Sequence, residues 1–259
     1  MPILGINDEK CIKCMQCILD CPSLLFDEDK TGKIVFSDPK GLCILCGHCI
    51  SVCPEDAILR EKMEDVDTFP NVEYPENLVS YKSLFQLFRS KRSIRQYKKE
   101  KVPQEVLQKV FEAMRYAPSG ANRRAWKYFV ISDSKKIKAL SDAIIQEFTR
   151  NPTFQMMLGE KFRQKQDRNI DPIFYNAPHI IILYTFEESQ VDTGIAMTYG
   201  MLAAQTLGLG TCWIGFAKIA FDLSRQIKNL AGVKGRVSGV MTIGYPDVKY
   251  HRCPPRAPV

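Results

Sequence analysis

No apolar run in this 259-residue chain approaches the roughly 20 residues that a membrane-spanning helix needs. The opening stretch MPILGINDEK lacks the basic start and apolar centre of a secretory leader. Membrane insertion is therefore not expected, and the expected location is the cytoplasm. No G-x-G-x-x-G fingerprint is present, which argues against a Rossmann-type nicotinamide domain. No Ser-His-Asp or Cys-His nucleophile pattern appears either. The net charge of +7 comes without a nucleic-acid-binding motif, so nucleic acid is not an expected partner. With 45% hydrophobic and 25% charged residues, the composition is that of a folded globular chain rather than a disordered or fibrous one.

Cysteine, by contrast, is plentiful, and eight of the ten fall in two short runs. The first is CIKCMQCILDCP, from Cys11 to Pro22, and the second is CILCGHCISVCP, from Cys43 to Pro54. Cytoplasmic thiols stay reduced, so a patterned set points to a soft metal rather than to disulfides. Each run reads C-x-x-C-x-x-C-x-x-x-C-P, the two-cluster iron-sulfur spacing in which the fourth cysteine of one run serves the other cluster. One 4Fe-4S cluster is thus assigned to Cys11, Cys14, Cys17 and Cys53, and the other to Cys43, Cys46, Cys49 and Cys21. Zinc also takes four cysteines, but it needs neither a third cysteine per run nor the Cys-Pro ending. His48 lies inside the second run and is read as a solvent-facing or supporting residue, since cysteine already fills all eight ligand positions. Between the runs, LLFDEDKTGKIVF reads as a hairpin turning near Gly32. Residues 1 to about 60 resemble the bacterial two-cluster ferredoxins, a resemblance that implies low-potential one-electron transfer and, by the oxygen sensitivity of exposed clusters, an anaerobic source.

Residues 1–60 carry 6 Lys/Arg against 9 Asp/Glu, a net of −3, which leaves +10 for the remainder. Residues 61–80, acidic, without sustained period and holding two prolines, read as a surface linker. A helix is expected near Ser83, with Leu84, Phe85, Leu87 and Phe88 covering one face. A second follows Pro103, with Val106, Leu107, Val110, Phe111 and Met114 at helical spacing. Strands are expected at WKYFVIS, at 179–185, at 211–216 and at 237–245. The small-residue helix between about 189 and 210 is apolar nearly all round, which predicts burial on every side and a subunit interface.

Three stretches carry a further resemblance. KRSIRQYKKEKVPQEVLQKVFEAMRYAPSGANRRAWKYFVI, GLGTCWIG and IGYPDVKYHRCPPR together resemble the FMN-dependent nitroreductase family, across about residues 83–259. The expected fold is α+β, a small ferredoxin-like two-cluster domain (1–60), a linker (61–80) and a three-layer α/β/α FMN domain (81–259). The resemblance implies a homodimer with FMN in the interface clefts. Residue by residue it implies that Arg92, Ser93 and Arg95, with Arg256 or Arg252, hold the phosphate. Pro118, Ser119 and Asn122 would meet the ring and ribityl chain, Asn122 by donating to the flavin or arriving from the partner subunit. Trp213, Ile214 and Gly215 would approach the reactive part of the ring. Arg123 and Arg124 stand where many relatives have glutamine, and Cys212 reads as a core residue. No side chain is singled out as catalytic, because the chemistry is centred on the flavin. The polar segment 151–171 is read as a cover over that site.

The combined expectation is an oxidoreductase in which an external electron-transfer protein feeds two 4Fe-4S clusters, then FMN, then a small organic acceptor: a nitroaromatic, a quinone or an activated double bond. Two alternatives stand beside it. In one, NAD(P)H is oxidised at FMN and electrons leave through the clusters. In the other, the protein is a flavin-binding redox sensor without turnover.

Overall fold

The structure is a computed structural model that describes residues 3–61, 67–187 and 189–257. Most of the expected linker is described, and there it is exposed turn with one short 3-10 segment, Pro75–Asn77. The chain divides into two compact units, Met1–Leu78 with Ser119–Arg123, and Val79–Pro118 with Arg124–Val259.

In the first unit, β1 (Ile3–Ile6), α1 (Gln16–Asp20), β2 (Phe26–Glu28), β3 (Ile34–Phe36), α2 (His48–Ser51) and β4 (Ile58–Arg60) follow one another. β2 and β3 form the expected antiparallel hairpin, with Gly32 at its turn in the left-handed region (φ 74). β1 pairs with β4, so the two ends of the unit close on each other. The two halves correspond at a spacing of 32 residues. Lys13 and Leu45 are both left-handed, as are Met15 and Gly47, and Leu24 and Asp56. Each cysteine loop thereby reverses direction twice before entering a helix of one turn or little more. Cys17 and Cys49, on those helices, are buried with Leu25, Phe26, Ile34, Ile50 and Ile58.

The second unit contains α3 (Tyr81–Ser90), α4 (Gln104–Arg115), β5 (Lys127–Ile131), α5 (Ser134–Arg150), α6 (Pro152–Asp167), β6 (His179–Thr185), α7 (Gln190–Thr206), β7 (Gly210–Trp213), α8 (Gly215–Leu223), α9 (Arg225–Ala231) and β8 (Arg236–Gly244). The strands lie in the order β5-β6-β8-β7, every neighbouring pair antiparallel. β6 reads HIIILYT, and its unbroken apolar run has a direct cause: both faces are covered. Ile180 and Ile182 pack with α5, α6, α8 and α9, whereas Ile181 and Leu183 pack with α4 and α7. Burying each such side chain stabilises the fold by about 1.5–3 kcal/mol. The result is the expected three layers. An extra residue in β8, where Leu183 pairs with Gly239 and Tyr184 with Val237, puts Val237 and Val240 on the same face.

Three expectations need correction. The stretch 211–216 is strand only to Trp213, and Gly215 opens α8, because Ala217, Ala220 and Phe221 recur at helical spacing and are buried. α7 is not buried on every side within the chain. Its small residues allow close approach on one stripe, where a Cβ at Gly200 would meet Met114 Sδ at 2.8 Å, while Val191 and Tyr199 stay exposed. On α3, Leu84, Phe85 and Phe88 are likewise exposed. α5 and α9 were not anticipated. α5 has its N-terminus capped by Asp133, whose side chain accepts from Lys136 N.

His179 links three parts of this unit from a buried position. Its Nε2 accepts from Val102 N (2.9 Å), and its Nδ1 lies 2.7 Å from Ser132 Oγ. An Nε2 that accepts is unprotonated, so Nδ1 carries the proton of the neutral ring and donates it to the serine. Burial first, then Lys101, holds its pKa below the ordinary 6.5. The folded state therefore binds fewer protons than the unfolded state below that value, and stability falls as the pH drops through it. Thermal melts between about pH 7.5 and 5.5 should show this loss in the wild type and a flatter profile in His179→Gln. Parallel profiles would remove His179 as its source.

Candidate functional site

The first unit contains two cavities, and each is walled by cysteines from both runs. One, of ≈ 430 Å³ of open space, is lined by Cys43, Cys46 and Cys49 together with Cys21. The other, of ≈ 350 Å³, is lined by Cys11, Cys14 and Cys17 together with Cys53. The fourth cysteine of each run sits where the chain has left its own loop, ahead of Pro22 or Pro54. Its sulfur receives a backbone N–H from four residues on, Leu25 N to Cys21 Sγ at 3.5 Å and Ala57 N to Cys53 Sγ at 3.2 Å. Among the described residues no group of three or more His, Cys, Asp or Glu converges closely enough to hold a single metal ion. Tetrahedral zinc requires all four sulfurs about 2.3 Å from one point. Quartets spread around a cavity fit a four-iron cubane, not one ion.

The electrostatics agree with that fit. Burial first, then Cys46, Cys43 and Cys21, pushes the Cys49 thiol up to about 11. Burial likewise raises Cys17, with Cys11 and Cys14 adding to the rise. A thiol raised in this way stays protonated alone, and a bound metal cation would offset the cost of its deprotonation. His48 is exposed at the start of α2 and also lines the cavity walled by the second run.

In the second unit the structure joins three sequence stretches. Ser93 bridges Thr211, and Ile94 N donates to Thr211 O (3.0 Å). Asp247 N donates to Gln96 O and Lys98 N to Tyr245 O, both at 2.9 Å. Tyr97, buried, fixes this junction by donating to Ile94 O or Thr242 Oγ1, each 2.8 Å from its hydroxyl. Gly210 leaves room for the crossing chain, since a Cβ there would stand 2.5 Å from Ile94 Cγ1. Ser93 and Arg95 are thus brought beside the strand that ends in Trp213. Ile214 is buried and donates its N–H to Val240 O (2.8 Å), with Gly215 opening α8. Arg252 and Arg256 lie exposed in the extended tail, and Pro118 is exposed at the end of its turn.

Two placements differ from expectation. Arg92 turns back on α3, its guanidinium donating to the carbonyls of Arg89 and Lys91. Lys91 takes the inner position. Half-buried, it donates to Arg92 O (2.8 Å) and Thr211 O (3.5 Å), and desolvation lowers its pKa. Among the described residues this half-buried ammonium is held by carbonyls and pairs with no carboxylate. The signal for it was present in the sequence, one residue before Arg92. Ser119 and Asn122 fall in the first unit, where Asn122 Nδ2 donates to Ile44 O (3.2 Å) and Leu45 O (2.7 Å). A primary amide has two N–H groups, so in this arrangement none remains for a flavin. Sequence reasoning also missed Tyr175, whose ring lies beneath Arg95 (5.7 Å) and Lys165 (4.4 Å). Lys165 is on α6, which occupies most of the segment read as a cover.

The Nitroreductase family model matches residues 88–245, and the 4Fe-4S dicluster domain model matches residues 10–58. An iodotyrosine deiodinase of Thermotoga neapolitana is 25% identical over 174 residues, 64% of this chain and 90% of that protein. A nitroreductase of Mycolicibacterium smegmatis is 25% identical over 159 residues, 49% of this chain and 68% of that protein. Among solved structures, a nitroreductase with bound FMN from Bacteroides fragilis superposes with a TM-score of 0.57 at 23% identity, over 67% of this chain and 95% of that one. That last likeness bears on the fold alone.

The cavity walls make a pairing testable by spectroscopy of the reduced protein. Cys21→Ala and Cys46→Ala should leave the same surviving cluster signal, and Cys53→Ala and Cys14→Ala the other. A match of Cys21→Ala with Cys14→Ala would refute the crossed assignment.

Proposed function

From the premise that this chain belongs to the nitroreductase family, we propose that it is an FMN-dependent oxidoreductase whose N-terminal unit carries two 4Fe-4S clusters. The finer reading is electron flow from an external ferredoxin-like donor by way of the clusters to FMN, ending on a nitroaromatic, a quinone or an activated double bond. When bound, the clusters supply one-electron transfer and FMN supplies the exchange between one- and two-electron chemistry. The observation that carries this reading is the crossed pair of cysteine quartets, each around its own cavity, in a chain that also matches the nitroreductase family.

The remaining work belongs to the protein's own side chains. Cys11, Cys14, Cys17 and Cys53 would ligate one cluster, and Cys43, Cys46, Cys49 and Cys21 the other. Lys91, with Ser93 and Arg95, would hold the flavin phosphate, since paired cations and small donors match a dianion. Arg252 or Arg256 would add charge from the tail. Ile214 gives the site an apolar wall, and Trp213 and Gly215 flank it on β7 and α8. Tyr175 holds Arg95 and Lys165 by cation-π contact, each contact stabilising by about 0.5–2 kcal/mol, and so keeps two cations in register. The exposed apolar residues of α3 and the open side of α7 suit a homodimer. Bound clusters suit a reducing, oxygen-poor cytoplasm.

Two experiments bear on this reading. FMN content should drop sharply in Lys91→Met, with an affinity loss of roughly tenfold or more for a charge-assisted contact, whereas Arg92→Ala should keep its flavin and lose only helix-end capping. The reverse order would return Arg92 to the phosphate site. For direction, the anaerobic protein is reduced stepwise and its visible spectrum followed. Rapid bleaching of the flavin by reduced ferredoxin, with none by NADH or NADPH, is expected. Fast reduction by a nicotinamide followed by cluster reduction would reverse the route, and a flavin that no acceptor reoxidises would leave a sensor.

A further inference from the structure

The turn Ser119–Arg123 lies within the matched nitroreductase segment, yet it is part of the first unit, while its neighbours Pro118 and Arg124 belong to the second. Its backbone is strained. Ala121 (φ 49) and Asn122 (φ 52) are both left-handed, at roughly 1–2 kcal/mol each for a residue with a Cβ, though asparagine tolerates the conformation better than most. Such conformations persist where the surroundings hold them in place. One restraint among others is the Asn122 side chain, which spends both amide hydrogens on consecutive carbonyls, Ile44 O and Leu45 O, beside the backbone bonds Asn122 N to Ser119 O and Arg123 N to Gly120 O.

Those carbonyls belong to the loop between Cys43 and Cys46, both of which line the larger cavity. Leu45 is itself left-handed (φ 55). In a planar trans peptide the N–H points opposite to the C=O. Fixing the carbonyls of Ile44 and Leu45 therefore fixes the amide hydrogens of Leu45 and Cys46 on the side of the loop away from Asn122. Hydrogen bonds to the sulfurs are among the factors that set the potential of an iron-sulfur cluster.

We propose that Asn122 is a positioning residue for the cluster held by Cys21, Cys43, Cys46 and Cys49, clamping its cysteine loop and tuning its potential rather than donating to the flavin. The proposal rests on the cluster reading given above. It singles out one cluster of the two.

The test uses the anaerobically purified full-length holoprotein with Asn122→Asp and Asn122→Gly. Both replacements accept a left-handed backbone, and both remove the two donors; aspartate keeps the shape and sets carboxylate oxygens against the carbonyls. Iron and FMN contents, the midpoint potential of each cluster by spectroscopically monitored titration, and hydrogen exchange at Leu45 and Cys46 are measured together. The second-run signal is identified by its loss in Cys46→Ala. Expected are unchanged FMN, a shifted midpoint or selective loss of the second-run cluster, an unmoved first-run cluster, and exchange about tenfold faster at the two amides, the effect of losing a hydrogen bond of average net strength. Loss of FMN with both midpoints unmoved would return Asn122 to the flavin, and unchanged midpoints with unchanged exchange would equally overturn the clamp. Wild-type protein without iron would refute the cluster reading and this proposal together. Wild-type protein with iron but no FMN would refute the flavin reading alone.

Discussion

In the first unit, two cysteine quartets, each drawn from both runs, wall two cavities. Burial first, then neighbouring cysteines, pushes the Cys49 thiol up to about 11, and a bound cation would offset the cost of its deprotonation. The crossed arrangement makes this a constraint on the whole unit. Neither run completes its quartet, so each half of the unit must deliver a cysteine to the other. The 32-residue correspondence of left-handed positions, the closure of β1 on β4 and the burial of Cys17 and Cys49 among aliphatic side chains all serve that exchange. With so small a core, bound clusters would add to the unit's stability.

The second unit solves a different problem. Its central strand β6 is apolar on both faces, and helices above and below bury it. That rigid sheet then carries a junction of three segments that are distant in sequence. Residues 93–98 run beside Thr211 on one side and Tyr245–Asp247 on the other. Tyr97 and Gly210 make the junction possible, one by filling a buried space with a satisfied hydroxyl, the other by leaving room.

Legibility in the sequence followed the range of the interaction. The cysteine spacing, the β6 run, the β2–β3 hairpin and α4 are local patterns with one physical reading each. α8 was hidden because its strand-like lead-in, Thr211–Trp213, passes directly into a helix of small and aromatic residues. α3 looked like a helix with a core face, and it is a helix, but Leu84, Phe85 and Phe88 are exposed. Amphipathic spacing reports that a face is apolar, not what covers it.

The sequence by itself determined the element types wherever periodicity was strong, the metal class from cysteine spacing, and the family from three separated motifs. Only the tertiary structure decided which neighbouring side chain faces inward. Lys91 reaches Thr211 O, while Arg92 turns back on the end of α3. Asn122 reaches the carbonyls of Ile44 and Leu45, 78 and 77 residues away. Residue type and spacing encode what a side chain can do, whereas the atoms it meets depend on long-range packing that one-dimensional order does not display.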